Sequence, residues 1–210
     1  MINILIADDH TIVRKGLKQI LAETPDMVVA DEASNGQEVL EKVRKSNFDV
    51  VLLDISMPGR SGLDILKELK SERPKLPVLV LSMYPEEQYA VRVLRAGAAG
   101  YLTKESAPDE LVVATRKVAQ GKKYVSPSLA EKLAFDLEMD STRPPHEVLS
   151  DREYQVLCMI ASGKTVGEIA ENLALSTKTI STYRARILEK MNMKNNAELT
   201  HYAIQNKLVE

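Results

Sequence analysis

Residues able to do chemistry recur in this chain at one kind of place, the end of a short apolar run. "INILIA" (Ile2–Ala7) runs into Asp8 and Asp9, and "VVLL" (Val50–Leu53) ends at Asp54. "VLVL" (Val78–Leu81) runs into Ser82, and "GYL" (Gly100–Leu102) is followed by Thr103 and Lys104. Each acid taken singly reads as well as a cap for the segment that follows it. Three carboxylates, a hydroxyl and an ammonium at four such ends read as a site. Carboxylates brought together repel and raise one another's pKa unless a cation sits among them. Oxygen donors without cysteine suit Mg²⁺, which prefers octahedral geometry. His10, beside the acid pair, reads as a polar residue at a helix start rather than as a metal ligand. A divalent ion, an ammonium and a nucleophilic carboxylate are together the parts of an in-line phosphoryl transfer.

The elements that must position these groups alternate. Short β-branched runs at Ile2–Ala7, Met27–Asp31, Val50–Leu53, Val78–Leu81 and Gly100–Leu102 are separated by amphipathic stretches at about 10–23, 36–45, 62–71, 85–96 and 108–120. Strand and helix in alternation predict an α/β fold, a doubly wound five-stranded parallel sheet with helices on both faces. Val50–Leu53 lacks polar alternation and reads as a central strand covered on both sides, whereas "MVVADE" is polar enough for an edge. In such sheets, sites form in the crevice beyond the carboxyl ends of the strands. If the first, third, fourth and fifth strands lie side by side, the four chemical ends meet there, with Asp54 at the rim near solvent.

After Gln120 the texture changes. One short helical pattern, 128–137, precedes a polar stretch containing Pro144 and Pro145, which no helix interior accommodates, so a linker falls near 138–147. From Leu149 onward the pattern is helical throughout: about 149–162, 165–173, 176–191 and 196–206. Ser150 with Glu153 spells a capping box, Gly163 a helix stop, and Ser176 another N-cap. A short helix with Ile169, Ala170 and Leu173 on one face, a tight connection and a longer helix make a helix-turn-helix. Ile180, Ile187 and Met191 should point inward. Lys178, Arg184, Arg186, Lys190 and Lys194 face a single acid, Glu189, between 176 and 194, a local basic stripe of the kind that neutralises phosphates.

The 210 residues carry 28% charged side chains at net −2, a balance that excludes a disordered polyelectrolyte and gives no global sign of nucleic acid. No apolar run reaches the roughly 18 residues that span a bilayer, and the first residues lack the basic region of a signal peptide. A lone Cys158, inside a helical pattern, excludes an internal disulfide and reads as a small buried apolar residue. A reducing cytoplasm is the expected home.

"IADDH", "VVLLDISMPGRSGLD", "VLVLSM" and "AAGYLTK", in that order, resemble the receiver domain of bacterial two-component response regulators. The resemblance implies a flavodoxin-like fold in which Asp54 is the phospho-acceptor, charged by a sensor histidine kinase. Asp9, Asp54 and the backbone carbonyl of Ser56 would hold Mg²⁺, and Asp8 would orient a metal-bound water. Lys104 would pair with the phosphoryl oxygens, Ser82 and Tyr101 would form the switch pair, and Pro58–Gly59 would hold the adjoining loop open. The segment from Leu149 to Met191 resembles the four-helix output domain of the LuxR/NarL (FixJ) group. By that likeness Ser181, Thr182 and Ala185 would face bases, and Lys178, Thr179, Arg184 and Arg186 phosphates of double-stranded DNA. Thr165-Val166-Gly167, Ser181 and Tyr183 depart from common family patterns, so the operator does not follow from the likeness. The last helix would pair with its copy in a homodimer. The expected division is 1–120 receiver, 121–147 linker with a short helix, and 148–210 helix-turn-helix domain, in a transcription regulator with no membrane partner. A Mg²⁺-dependent phosphohydrolase is the rival, but it would want a second acid two residues after the nucleophile, where Ser56 stands. A receiver that no longer takes phosphate is the other rival, opposed by the full set of Asp8, Asp9, Asp54, Ser82 and Lys104.

Overall fold

A computed structural model describes residues 1–57, 60–106, 108–131 and 144–209, without the side chains of Glu87 and Gln88. The Pro58–Gly59 turn and much of the expected 128–137 helix and 138–147 linker lie outside the described residues. The chain divides into two compact units, Met1–Leu133 and Ala134–Glu210.

In the first unit, β1 (Ile2–Ala7), β2 (Met27–Ala33), β3 (Val50–Asp54), β4 (Val78–Ser82) and β5 (Gly100–Thr103) form a parallel sheet in the order β2-β1-β3-β4-β5. β3 and β4 are buried at every residue, as unalternating strands must be, and β2 at the edge is only partly covered. Helices α1 (Thr11–Ala22), α2 (Gly36–Lys45), α3 (Gly62–Glu72), α4 (Glu86–Arg95) and α5 (Pro108–Ala119) join the strands. Leu21 of α1 and Leu111, Ala114 and Val118 of α5 close one cluster over Ile4, Ile6, Leu52 and Leu79. Full burial of each such aliphatic side chain contributes about 1.5–3 kcal/mol.

Register sets the site. Ala7 is paired with Leu53, Asp54 with Leu81, and Ser82 with Thr103. Asp8, Asp54, Ser82 and Lys104 therefore emerge at one edge of the sheet. The order reverses at β1/β3, the switch point at which such sheets leave a crevice. Gly62 is needed here: a Cβ on it would lie 2.3 Å from Ile55 Cα, and its N–H donates to Ile55 O at 3.3 Å, closing the loop after Asp54.

The segment after α5 stays on this unit. Tyr124 forms a bridge with Gly100, its N–H donating to Ala99 O at 2.8 Å, and its hydroxyl donates to Glu110 at 2.7 Å. Leu129 is buried, and Ser126 donates to Glu86 at the start of α4.

The second unit opens with a 3-10 turn, Pro145–Val148, and continues as α6 (Asp151–Ala161), α7 (Val166–Asn172), α8 (Thr177–Lys190) and α9 (Asn196–Gln205). The expected capping box at Ser150–Glu153 is formed, and a second one, at Thr165–Glu168, opens α7. Ser176 caps α8, accepting from Thr179 N, and Gly163 follows α6 at φ +82°. Ile169, Ala170, Leu173, Ile180, Ile187 and Met191 are all buried, as their spacing predicts, and so is Cys158. Among the described residues no helix is long and apolar enough to cross a membrane.

Candidate functional site

The acids expected together are together. Lys104 Nζ lies 2.6 Å from Asp8 Oδ2 and 2.7 Å from Asp54 Oδ2, bridging the ends of β1 and β3 from the end of β5. The Ser56 N–H donates to the other oxygen of Asp54 at 2.8 Å. The main-chain N–H of His10 donates to Asp8 Oδ1 at 2.8 Å, and Arg14 holds the Asp8 carbonyl at 2.7 Å, fixing the turn out of β1.

One expectation needs correcting. Asp54 does not sit near solvent at the rim: it is 1% exposed, as is Asp8. Burial pushes the Asp54 carboxyl above its ordinary range; Lys104 and the Ser56 N–H pull it back without cancelling that, and Asp8 adds to the rise. Burial alone would lower Lys104, but the charges of Asp54 and Asp8, with the hydrogen bond to Asp54, outweigh it and hold the ammonium above its usual value. Two carboxylates thus share one ammonium, with Asp9 beside them. Asp9 Oδ1 is buried and accepts no hydrogen bond. Asp8 Oδ2 touches Lys104 as an ion pair but off the direction of a hydrogen bond. Buried anionic oxygens in surplus over donors are what a hard divalent cation satisfies, so these residues fit Mg²⁺. Ligand atoms of Asp8, Asp9, His10 and Asp54 all lie within 4.8 Å of one another.

Ser82 is fully buried at the end of β4 and accepts from Tyr84 N at 3.0 Å. The Tyr101 ring lies inside, its hydroxyl donating to Tyr84 O at 2.7 Å. Burial raises that phenol well above its usual pKa, while the Ser82 hydroxyl acts the other way.

On α8, Lys178, Ser181, Thr182, Ala185 and Arg186 are exposed, and Thr179 and Arg184 are half-buried. The Ser181 and Thr182 hydroxyls donate back to the Thr177 and Lys178 carbonyls at 2.9 and 3.0 Å. Arg184 Nε donates to Asn196 Oδ1 at 2.6 Å, tying α8 to the start of α9. Lys190 is no free member of the basic stripe, because its Nζ meets buried Glu153 at 2.6 Å. That pair was invisible in the sequence, where the partners stand 37 positions apart; the capping box at Glu153 was visible and concealed its second role.

Comparison with known proteins agrees with this architecture. Residues 4–116 match the response regulator receiver domain, and 147–203 the bacterial regulatory proteins of the luxR family. The response regulator UvrY of Escherichia coli K12 is 40% identical over 209 residues, covering 99% of this chain and 96% of its own. RcsB of Salmonella enterica serovar Typhimurium, solved bound to promoter rprA with the phosphomimetic BeF3⁻, superposes with a TM-score of 0.67 at 30% identity, covering 96% of this chain and 97% of that one. A structure of two RcsB dimers on two parallel DNAs gives 0.60 at 30% identity, covering 100% and 99%. The chain belongs to the two-component response regulators of the LuxR/NarL group, a receiver domain followed by a LuxR-type regulatory domain.

Proposed function

We propose that this protein is a DNA-binding transcription regulator switched by a phosphoryl group on Asp54. The observation that carries the proposal is the buried ammonium of Lys104 held between Asp8 and Asp54, on a chain that also presents an exposed recognition-type helix. The donor is a phosphohistidine of a sensor kinase: its N–P bond breaks as a carboxylate oxygen of Asp54 bonds phosphorus, and the imidazole leaves. Asp9, Asp54 and the Ser56 carbonyl would hold Mg²⁺, with Asp8 acting through a water on it. Bound there, the ion supplies neutralising charge. Lys104 then pairs with phosphoryl oxygens, and the Ser56 N–H donates to the same acceptor. The modification adds about −1.5 to −2 charge and three acceptors, which draws the Ser82 hydroxyl. Tyr101, bonded to the carbonyl of Tyr84 two residues beyond Ser82, is placed to follow that movement.

In the second domain, Ser181, Thr182 and Ala185 face bases, while Lys178, Thr179, Arg184 and Arg186 position the helix on phosphates. With both hydroxyls spent on the helix's own carbonyls, these short side chains suit thymine methyls and water-mediated contacts, and DNA shape carries much of the selectivity. α9 pairs with its copy, Ile204 standing 53% exposed on it, so a dimer reads two half-sites. RcsB, seen on promoter DNA and as dimers on DNA, supports this reading. We place the protein in the cytoplasm, where DNA and kinase meet, and assign it no turnover of external phosphoesters. The test is DNA affinity measured with and without a small phosphodonor and Mg²⁺. Wild type should bind more tightly after treatment and Asp54→Ala should not respond; an equal response from both would end the proposal.

A further inference from the structure

We infer that Glu86 fastens the segment 124–131, where the connection to the second domain begins, onto the unphosphorylated receiver, and that phosphorylation of Asp54 opens this clasp. The opening rests on the reading above that Asp54 takes a phosphoryl group; the clasp stands on contacts within the receiver. Glu86 is the first residue of α4 and half-buried. Ser126 donates to its Oε2, and Ser128 stands 3.4 Å from the same oxygen. Ser126 in turn accepts from Leu129 N at 3.1 Å on its hydroxyl and from Ala130 N at 3.0 Å on its carbonyl. The carboxylate therefore holds the residue that starts the next helical turn, and Leu129 of that turn is buried. Upstream, Tyr124 is seated on Gly100 so closely that a Cβ there would lie 2.9 Å from the Tyr124 carbonyl oxygen.

Little chain separates this clasp from the phosphorylation site. Only Met83, Tyr84 and Pro85 lie between Ser82 and Glu86. Ser82 Oγ accepts from Tyr84 N at 3.0 Å, the Tyr84 carbonyl accepts from Tyr101 at 2.7 Å, and the Pro85 ring fixes φ at −56°. So short and constrained a segment has little freedom to absorb a shift at its first residue, and passes it to its last. A Ser82 hydroxyl drawn to a phosphoryl oxygen turns away from Tyr84 N, and Glu86 moves with the loop. Hydrogen bonds weaken steeply with distance, so a displacement of about 1 Å parts Glu86 from both serines. Tyr101 adjoins Gly100, so movement of its ring disturbs the seat of Tyr124 at the other end of the strap. Burial raises the phenols of both tyrosines, and the Glu86 charge adds to the rise in each, as expected of a carboxylate close to both.

The experiment follows amide hydrogen exchange in the full-length protein, without and with a small phosphodonor and Mg²⁺, and counts acid-labile phosphate on the same samples. In labelled wild type the amides of Tyr124, Leu129 and Ala130 should exchange about tenfold faster, while those of β1 keep their rates. Unlabelled Glu86→Ala should already show the fast rates at these three positions. Glu86→Gln, which keeps an acceptor oxygen, should fall between, and β1 protection in both variants reports a folded receiver. Labelled wild type with unchanged rates at the three amides would overturn the opening; Glu86→Ala with wild-type rates would overturn the clasp. A wild type that takes no label would instead overturn the reading of Asp54, and the opening with it.

Discussion

Each domain buries a carboxylate against a lysine, and the two pairs are built to opposite ends. In the LuxR-type domain one acid meets one base: Glu153, 2% exposed, takes Lys190 and the Ser150 N–H and closes a capping box. Burial would raise its pKa, but Lys190 and the donors of Ser150 outweigh that and hold it below the usual carboxylate range. In the receiver Lys104 faces Asp8 and Asp54, with Asp9 close by, and the Asp54 carboxyl is held above its range. The satisfied pair fastens α6 to α8. The receiver cluster keeps an excess of negative charge, a cost that the proposed cation and phosphoryl group would account for.

The largest expected effect breaks the receiver cluster. Lys104→Met leaves two buried carboxylates unpaired and should destabilise the receiver by about 3–5 kcal/mol, read as lost hydrogen-exchange protection in β1 and β3. Mg²⁺ should restore part of it; full protection without Mg²⁺ would show that the cluster is not under charge strain.

Glu153→Ala comes next, at about 2 kcal/mol in the second domain, from the lost cap and the lost bond to Lys190. The pH dependence has a definite sign. A carboxyl lowered in the folded state contributes fully above its unfolded pKa, and that contribution is lost as pH falls through the lowered folded value. Glu153→Gln should therefore flatten the acid limb of that domain's stability, checked by unfolding across an acid pH series.

Smaller, and opposite in sign, is Asp54→Asn. Removing one of two acids that share an ammonium should stabilise the receiver by about 1 kcal/mol, measured as a raised unfolding midpoint without Mg²⁺. A fall would mean that the cluster is structural, like its counterpart at Glu153. Arg186→Ala should leave stability within about 0.5 kcal/mol, because the side chain is exposed. It should instead weaken binding to many DNA sequences alike and reduce the salt slope by about 1.

The contrast also shows what a sequence displays. Apolar strands ending in an acid, a hydroxyl or a lysine announced both the parallel sheet and the edge at which those groups meet, since local pattern and register act together there. The caps at Ser150 and Ser176 were legible because their partners lie three residues away. Depth was not legible: nothing in "VVLLD" says that Asp54 is buried against Lys104 from the end of β5. The Glu153–Lys190 pair, the second capping box at Thr165 and the docking of Tyr124 on Gly100 were also missed. The first and last are long-range contacts, which leave no periodic mark in a single chain. Thr165–Glu168 is local, with the same three-residue spacing as Ser150–Glu153, and so is legible in the sequence.

The most direct measurement is covalent. The full-length protein is incubated with Mg²⁺ and a small phosphodonor, and acid-labile phosphate is counted on wild type and on Asp54→Ala. We expect near-stoichiometric label on wild type, dependent on Mg²⁺, and none on the variant. Equal labelling of the two, or an unlabelled wild type that binds Mg²⁺, would contradict the account.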